Sequence, residues 1–172
     1  RDLPTIHTPP KARPRLDHVS SRSAFRRRVV SRTINQVMEP HLIPPKDLPY
    51  IWSEVAPLIN KGLAHSNHET DAECFFLPIY TGQQYLWVGI ENNQINSALV
   101  CEVLKYPFKT ALFIHIWSTR SGKDYEPWME HWSSITDFAK INGCNYIEAK
   151  VRKGLAKKLN WTDKHSLVTL QL

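Results

Sequence analysis

The 172-residue chain is poor in cysteine: Cys74, Cys101 and Cys144 stand far apart and form no Cys-x-x-Cys pair. That excludes a disulfide framework and reads as reduced thiols filling a core in a reducing compartment. Long apolar runs are missing as well. None approaches the roughly 18 residues of a membrane span, so no membrane partner is expected. No apolar segment of the signal-peptide kind follows Arg1, so secretion is not expected either. Metal-ligand spacing is almost absent. Only "HSNHETDAEC" (His65, His68, Glu69, Asp71, Cys74) gathers enough donors, and it reads as a water-facing polar loop, with no metal expected. Glycine numbers six, and only Gly122 falls in the stretch "IHIWSTRSGKDYEPWMEHW", where an apolar strand hands over to an aromatic helix. Free N–H groups at such a junction can cradle a phosphate.

What the chain has is a 42% hydrophobic content, enough for the core of one compact domain with an appendage. Charge is the asymmetric feature. Residues 1–44 hold nine Lys/Arg against Asp2, Asp17 and Glu39, while residues 45–172 hold 13 basic and 13 acidic side chains. The whole formal charge of +6 therefore sits on the first quarter of the sequence.

The chain divides accordingly into a basic arm, 1–44, and a body, 45–172. Residues 1–19 carry four prolines and little core pattern, so an extended tail is predicted. A helix is predicted over about 21–39, capped by Ser21 or Ser23 and stopped by Pro40. Phe25 lies on its apolar stripe and Arg22, Arg26, Arg27, Arg28 and Arg32 on the remaining circumference. With Arg13 and Arg15 these form a cationic surface. It is either a solvated face of a helix packed on its own domain, or an arm that docks on neighbouring subunits, an acidic protein or DNA.

In the body, "KDLPYIWSEVAPLINKGLAHS" predicts an amphipathic helix despite Pro49 and Pro57, and "ETDAECFFLPIYTG" a shorter one. "QYLWVGIE" and "INSALVCEVLKY" predict a hairpin turning at Asn92-Asn93. "TALFIHIW" predicts a strand buried on both faces. "PWMEHWSSITDFAKINGC" predicts one helix with Trp128, Trp132, Ile135, Phe138 and Ala139 inward and Gly143 at its stop. A strand in "NYIEAKV", a basic helix in "RKGLAKKLN" and a strand in "SLVTLQL" complete the reading.

This order, carried by "YLWVGIENNQINSALVCEVLKYP", "IHIWSTRSG" and "WMEHWSSITDFAKINGCNYIEAKVRKGLAKKLNW", resembles the Gcn5-related N-acetyltransferase (GNAT) superfamily. More narrowly it resembles the small GNAT-like morphogenesis proteins of short-tailed bacteriophages. The resemblance covers about three quarters of the chain and leaves the arm out. It implies an α+β, three-layer fold with a mixed central sheet. It also implies acetyl-CoA lying where two parallel central strands splay apart, its pyrophosphate held by a loop of the form Gln/Arg-x-x-Gly-x-Gly/Ala.

On that pattern the cofactor residues are Trp117, Ser118, Thr119, Arg120, Gly122 and Lys123. The loop departs from the form, because Arg120 and Gly122 are two apart and the second glycine position is missing. Asp124 and Glu126 compete with an anion for the helix N-terminus. Glu102 and His115 are the base candidates. A tyrosine acid after the fifth strand is absent, leaving Tyr125 and Tyr146 to geometry. The expectation is a virion or assembly protein, in the particle or the host cytoplasm, with little or no enzymatic activity. Its body is a docking scaffold, and its arm meets portal, head or internal core subunits, or DNA, within an oligomeric assembly. No cofactor is expected, though the pattern admits acetyl-CoA. The alternatives are an active acetyl-CoA-dependent N-acetyltransferase and a nucleic-acid-binding module.

Overall fold

The computed structural model describes residues 38–64, 70–121, 125–150, 156–157 and 159–162. A five-stranded sheet in the order β1-β2-β3-β4-β5 forms its middle layer. The strands are β1 (Glu39–Leu42), β2 (Tyr85–Glu91), β3 (Gln94–Lys105), β4 (Thr110–Thr119) and β5 (Tyr146–Ala149). Strands β1 to β4 pair antiparallel and β4–β5 parallel, giving a mixed sheet.

Helices cover both faces. On one side α1 (Leu48–Leu63) and α2 (Glu73–Tyr80) bury Ile51, Val55, Ile59, Phe75 and Ile79 against Leu86, Val88, Val100 and Ile116. On the other, α3 (Glu126–Glu130) and α4 (Trp132–Ile141) bury Trp128, Ile135 and Ala139 against Leu99, Cys101, Leu112, Ile114 and Trp117. Strands buried on both faces explain the near-continuous apolar runs of β3 and β4. The three-layer α+β architecture predicted from the sequence is the observed one.

Local chemistry accounts for several boundaries. Asn92 and Asn93 adopt φ of 48° and 62°, the paired left-handed turn that joins β2 to β3 with the twist of the strands. Gly143, at φ 72°, ends α4 where a side chain would be strained. Pro49 falls in the first turn of α1, where its missing N–H has no partner to lose. Gly89 is required by space: a Cβ there would meet Ser97 Oγ at 2.2 Å and Met38 Sδ at 2.7 Å. Ser97 Oγ in turn accepts the indole N–H of the fully buried Trp128 at 2.7 Å, pinning α3 to the sheet.

Other features depart from the sequence reading. Glu39, expected at the end of the arm's helix, opens β1 instead, and Met38 and Ile43 beside that strand are buried. "EPHL" is too short to show alternation, and Pro40 is tolerated because β1 is the edge strand among the described residues. The single helix expected from Pro127 is broken at His131 (φ −107°, ψ 17°), with Trp128 buried before the break and Trp132 stacked on Trp117 after it. Cys101 is core, but Cys74 is exposed on α2 and fills nothing.

The rest of the arm (Arg13, Arg15, Arg22, Phe25, Arg26, Arg27, Arg28 and Arg32) lies outside the described residues, as do His65, His68, Glu69 and the segment "SLVTLQL" expected as a final strand. Among the described residues no group of three or more His, Cys, Asp or Glu can hold a metal ion, and no helix is long and apolar enough to cross a membrane.

Candidate active site

Register makes the site. Cys101 pairs with Ile114 but Val100 pairs with Ile116, so His115 is an extra residue, a β-bulge in β4. Strict alternation would send His115 and Ile116 to opposite faces. Alternation from Ile114, which faces the α3/α4 core, puts the imidazole on the α1/α2 side with Phe113, beside Glu102 of β3, and the bulge keeps Ile116 on that same side. His115 Nε2 lies 3.0 Å from Glu102 Oε2, with the two side chains 26% and 31% exposed. Gln84, on the turn between α2 and β2, places Nε2 at 3.3 Å from the same carboxylate oxygen and 3.4 Å from His115 Nε2. Phe113 and Phe75 stand edge-on to the imidazole at 4.7 and 6.0 Å. A half-buried carboxylate–imidazole pair with aromatic walls can move a proton: the carboxylate fixes one ring nitrogen and the other carries the lone pair.

The bulge lies next to the last described pair of β4 and β5. Their parallel ladder runs from Ala111–Tyr146 to Ile114–Ala149 and stops one residue short of His115. From His115 to Thr119, β4 pairs only with β3 among the described residues.

Beyond that point stand the residues expected to hold a cofactor. Trp117, Ser118 and Thr119 are buried. Trp117 stacks on Trp132 at 5.1 Å and meets Tyr125 at 5.0 Å, so its ring belongs to the α3/α4 core. Arg120 is exposed; its guanidinium donates to the Ile95 carbonyl at 3.0 Å and its backbone N–H to the Asn96 carbonyl at 2.6 Å. One contact engages only part of a guanidinium, which carries five N–H donors. Gly122 and Lys123 lie outside the described residues. Lys61, at the end of α1, donates to the carbonyls of Thr119 (3.0 Å) and Arg120, setting a second cation at this end of β4. The charge of these two cations suits a diphosphate; the single described anchor of Arg120 is the weaker part of the fit.

The tyrosines take other places. Tyr146 opposes Ala111 at the far end of the β4–β5 ladder, and Tyr125 packs on Trp117. Tyr106 O–H donates to Glu148 Oε1 at 2.5 Å, a bond that pushes its pKa up to about 12. None of them joins the Glu102–His115 pair. Gln84 and Lys61 escaped the sequence reading because neither sits in a periodic pattern; one rides a turn and the other a helix end.

No protein-family model matches the chain, and no curated protein matches it by sequence. Solved structures do match. An aminoglycoside acetyltransferase, meta-AAC0020, from an uncultured soil metagenomic sample in complex with sisomicin is 15% identical with a TM-score of 0.61. The match covers 79% of this chain and 95% of that one. A predicted acetyltransferase from Clostridium acetobutylicum, crystallised with acetyl-CoA, is 16% identical with a TM-score of 0.58 over 78% and 96% of the two chains. A ribosomal-protein-alanine N-acetyltransferase from Brucella melitensis biovar Abortus 2308 is 11% identical with a TM-score of 0.57 over 78% and 99%. At such identities the likeness is one of fold. The mixed sheet, its helices on both faces and these matches together establish that the chain has a GNAT-like α+β fold.

Proposed function

We propose that the body is an acetyl-CoA-dependent N-acetyltransferase domain in which His115, held by Glu102, is the base. The observation that carries this is the 3.0 Å Glu102–His115 contact, one residue past the last described β4–β5 pair. The structural matches to acetyltransferases, one of them crystallised with acetyl-CoA, support the same reading. The thioester substrate lies along β4 past Ile114, with Arg120 and Lys61 toward its diphosphate. An amine attacks the thioester carbonyl carbon, the new C–N bond forms and the C–S bond breaks. His115 takes the proton shed by the amine nitrogen, Glu102 stabilises the resulting imidazolium, and the departing thiolate is protonated by water.

The test is calorimetric titration with acetyl-CoA, followed by thiol release in the presence of a panel of primary amines. Micromolar binding that weakens in Arg120→Ala is expected. His115→Ala is expected to lower kcat/KM by about 10²–10⁴-fold, the span of general-base contributions, with acetyl-CoA affinity unchanged. Silence at millimolar acetyl-CoA sinks this reading.

A second reading keeps the fold as a docking scaffold of a phage particle. The charge of +6 confined to residues 1–44 and the loop's departure from the diphosphate-binding form favour it. Full-length protein in purified particles, lost on deleting residues 1–37, together with no acetyl-CoA binding, is the outcome that would select it.

A further inference from the structure

We infer that Gln84 is a positioning residue that holds Glu102 so that His115 presents Nδ1, not Nε2, as its proton-accepting atom. The inference rests on the base role just proposed and extends it to a third side chain. An ionised carboxylate only accepts hydrogen bonds, so both nitrogens near Glu102 Oε2 must donate to it. His115 Nε2, at 3.0 Å, therefore carries the ring proton, and the neutral ring keeps its lone pair on Nδ1. The amide group of Gln84 at 3.3 Å is its NH₂. The 3.4 Å approach of Gln84 Nε2 to His115 Nε2 is then two donors converging on one oxygen, not a bond between them.

Gln84 can do this because its backbone is fixed: its N–H donates to the Pro78 carbonyl at 3.0 Å, which anchors the turn to the end of α2. Water competes for a carboxylate that is 31% exposed, and a second donor on the same oxygen holds it against the bulged histidine. Without Gln84 the carboxylate is free to turn to solvent.

The test is NMR on the ¹⁵N-labelled full chain at pH 8, following the His115 ring N–H and its exchange with water. A protected ring proton coupled to Nε2 is expected in the wild type and lost in Glu102→Ala, which removes the acceptor. In Gln84→Met, which keeps the volume without the donor, exchange should be at least about tenfold faster, the scale of one hydrogen bond to a charged group. Gln84→Asn, which shortens the reach, should behave alike with a native backbone amide spectrum. In thiol-release assays Gln84→Met should lower kcat rather than raise KM. A wild-type ring without a protected N–H, or exchange in both Gln84 variants within about twofold of wild type, overturns the inference. A protected N–H in a chain that transfers no acetyl group would instead count against the base role and leave the Gln84 placement standing.

Discussion

Replacing Gly89 by alanine tests whether the sheet and α3 interlock as tightly as their distances indicate. The added methyl meets Met38 Sδ at 2.7 Å and Ser97 Oγ at 2.2 Å. Met38 is flexible and can swing aside. Ser97 can escape only by turning its hydroxyl away from Trp128, and that breaks a 2.7 Å bond at a fully buried indole. An unsatisfied buried donor costs about 1–3 kcal/mol, and the residual overpacking costs about 1–3 kcal/mol. Lower unfolded-state entropy returns about 0.4–1 kcal/mol. The net loss is about 2–4 kcal/mol, which for a body of this size lowers the thermal midpoint by about 5–15 °C. Circular dichroism melts of the single and double variants decide the matter. Ser97→Ala also orphans Trp128 but removes the clashing oxygen, so Gly89→Ala/Ser97→Ala should fall short of the summed losses by at least about 1 kcal/mol. A Gly89→Ala midpoint within about 2 °C of the parent, or strict additivity, would refute the interlock.

If Glu102 acts through His115, Glu102→Gln and His115→Ala should not multiply: the double variant should retain a kcat/KM within about threefold of His115→Ala, measured by thiol release. Burial pushes the Cys101 thiol up to about 12. Its native form stays protonated while the unfolded thiol ionises from about pH 8.5, so stability present below that pH falls as pH rises toward 12. Cys101→Ala should flatten the alkaline decline seen in urea melts, and in the native protein a thiol reagent at pH 8 should label Cys74 and spare Cys101. Burial lowers the His41 pKa, with the Glu39 charge opposing it. The unfolded state then binds the extra proton first, so stability is lost as pH falls below about 6.5. His41→Gln should show a shallower loss between neutral pH and pH 5 in the same melts.

The hairpin at Asn92-Asn93, the stop at Gly143 and the two-sided burial of β4 were all legible in the sequence, because each depends on the conformational preference or apolar content of a few neighbouring residues. The chemical character of Glu102 and His115 was legible too, though not their meeting. Which carboxylate a strand histidine meets depends on the register with the neighbouring strand, and an alternating strand gives no warning of a one-residue bulge such as the one that keeps His115 and Ile116 on one face. Strand β1 escaped notice for a related reason: four residues containing a proline carry no periodic signal and become a strand only because β2 offers a ladder to pair with.

Amino-acid order alone determined where apolar segments start and stop, which turns close, and that every unit of net charge lies in the first 44 residues. Those are short-range properties, set by backbone sterics, side-chain hydration and composition. Tertiary structure alone decided that β4 pairs in parallel with β5 over Ala111–Ile114, that β4 bulges at His115, and that Gln84 and Glu102 converge there. Residues 84, 102 and 115 are brought within hydrogen-bonding reach by strand register, a property of whole strands packed between helices that no local stretch of the chain encodes.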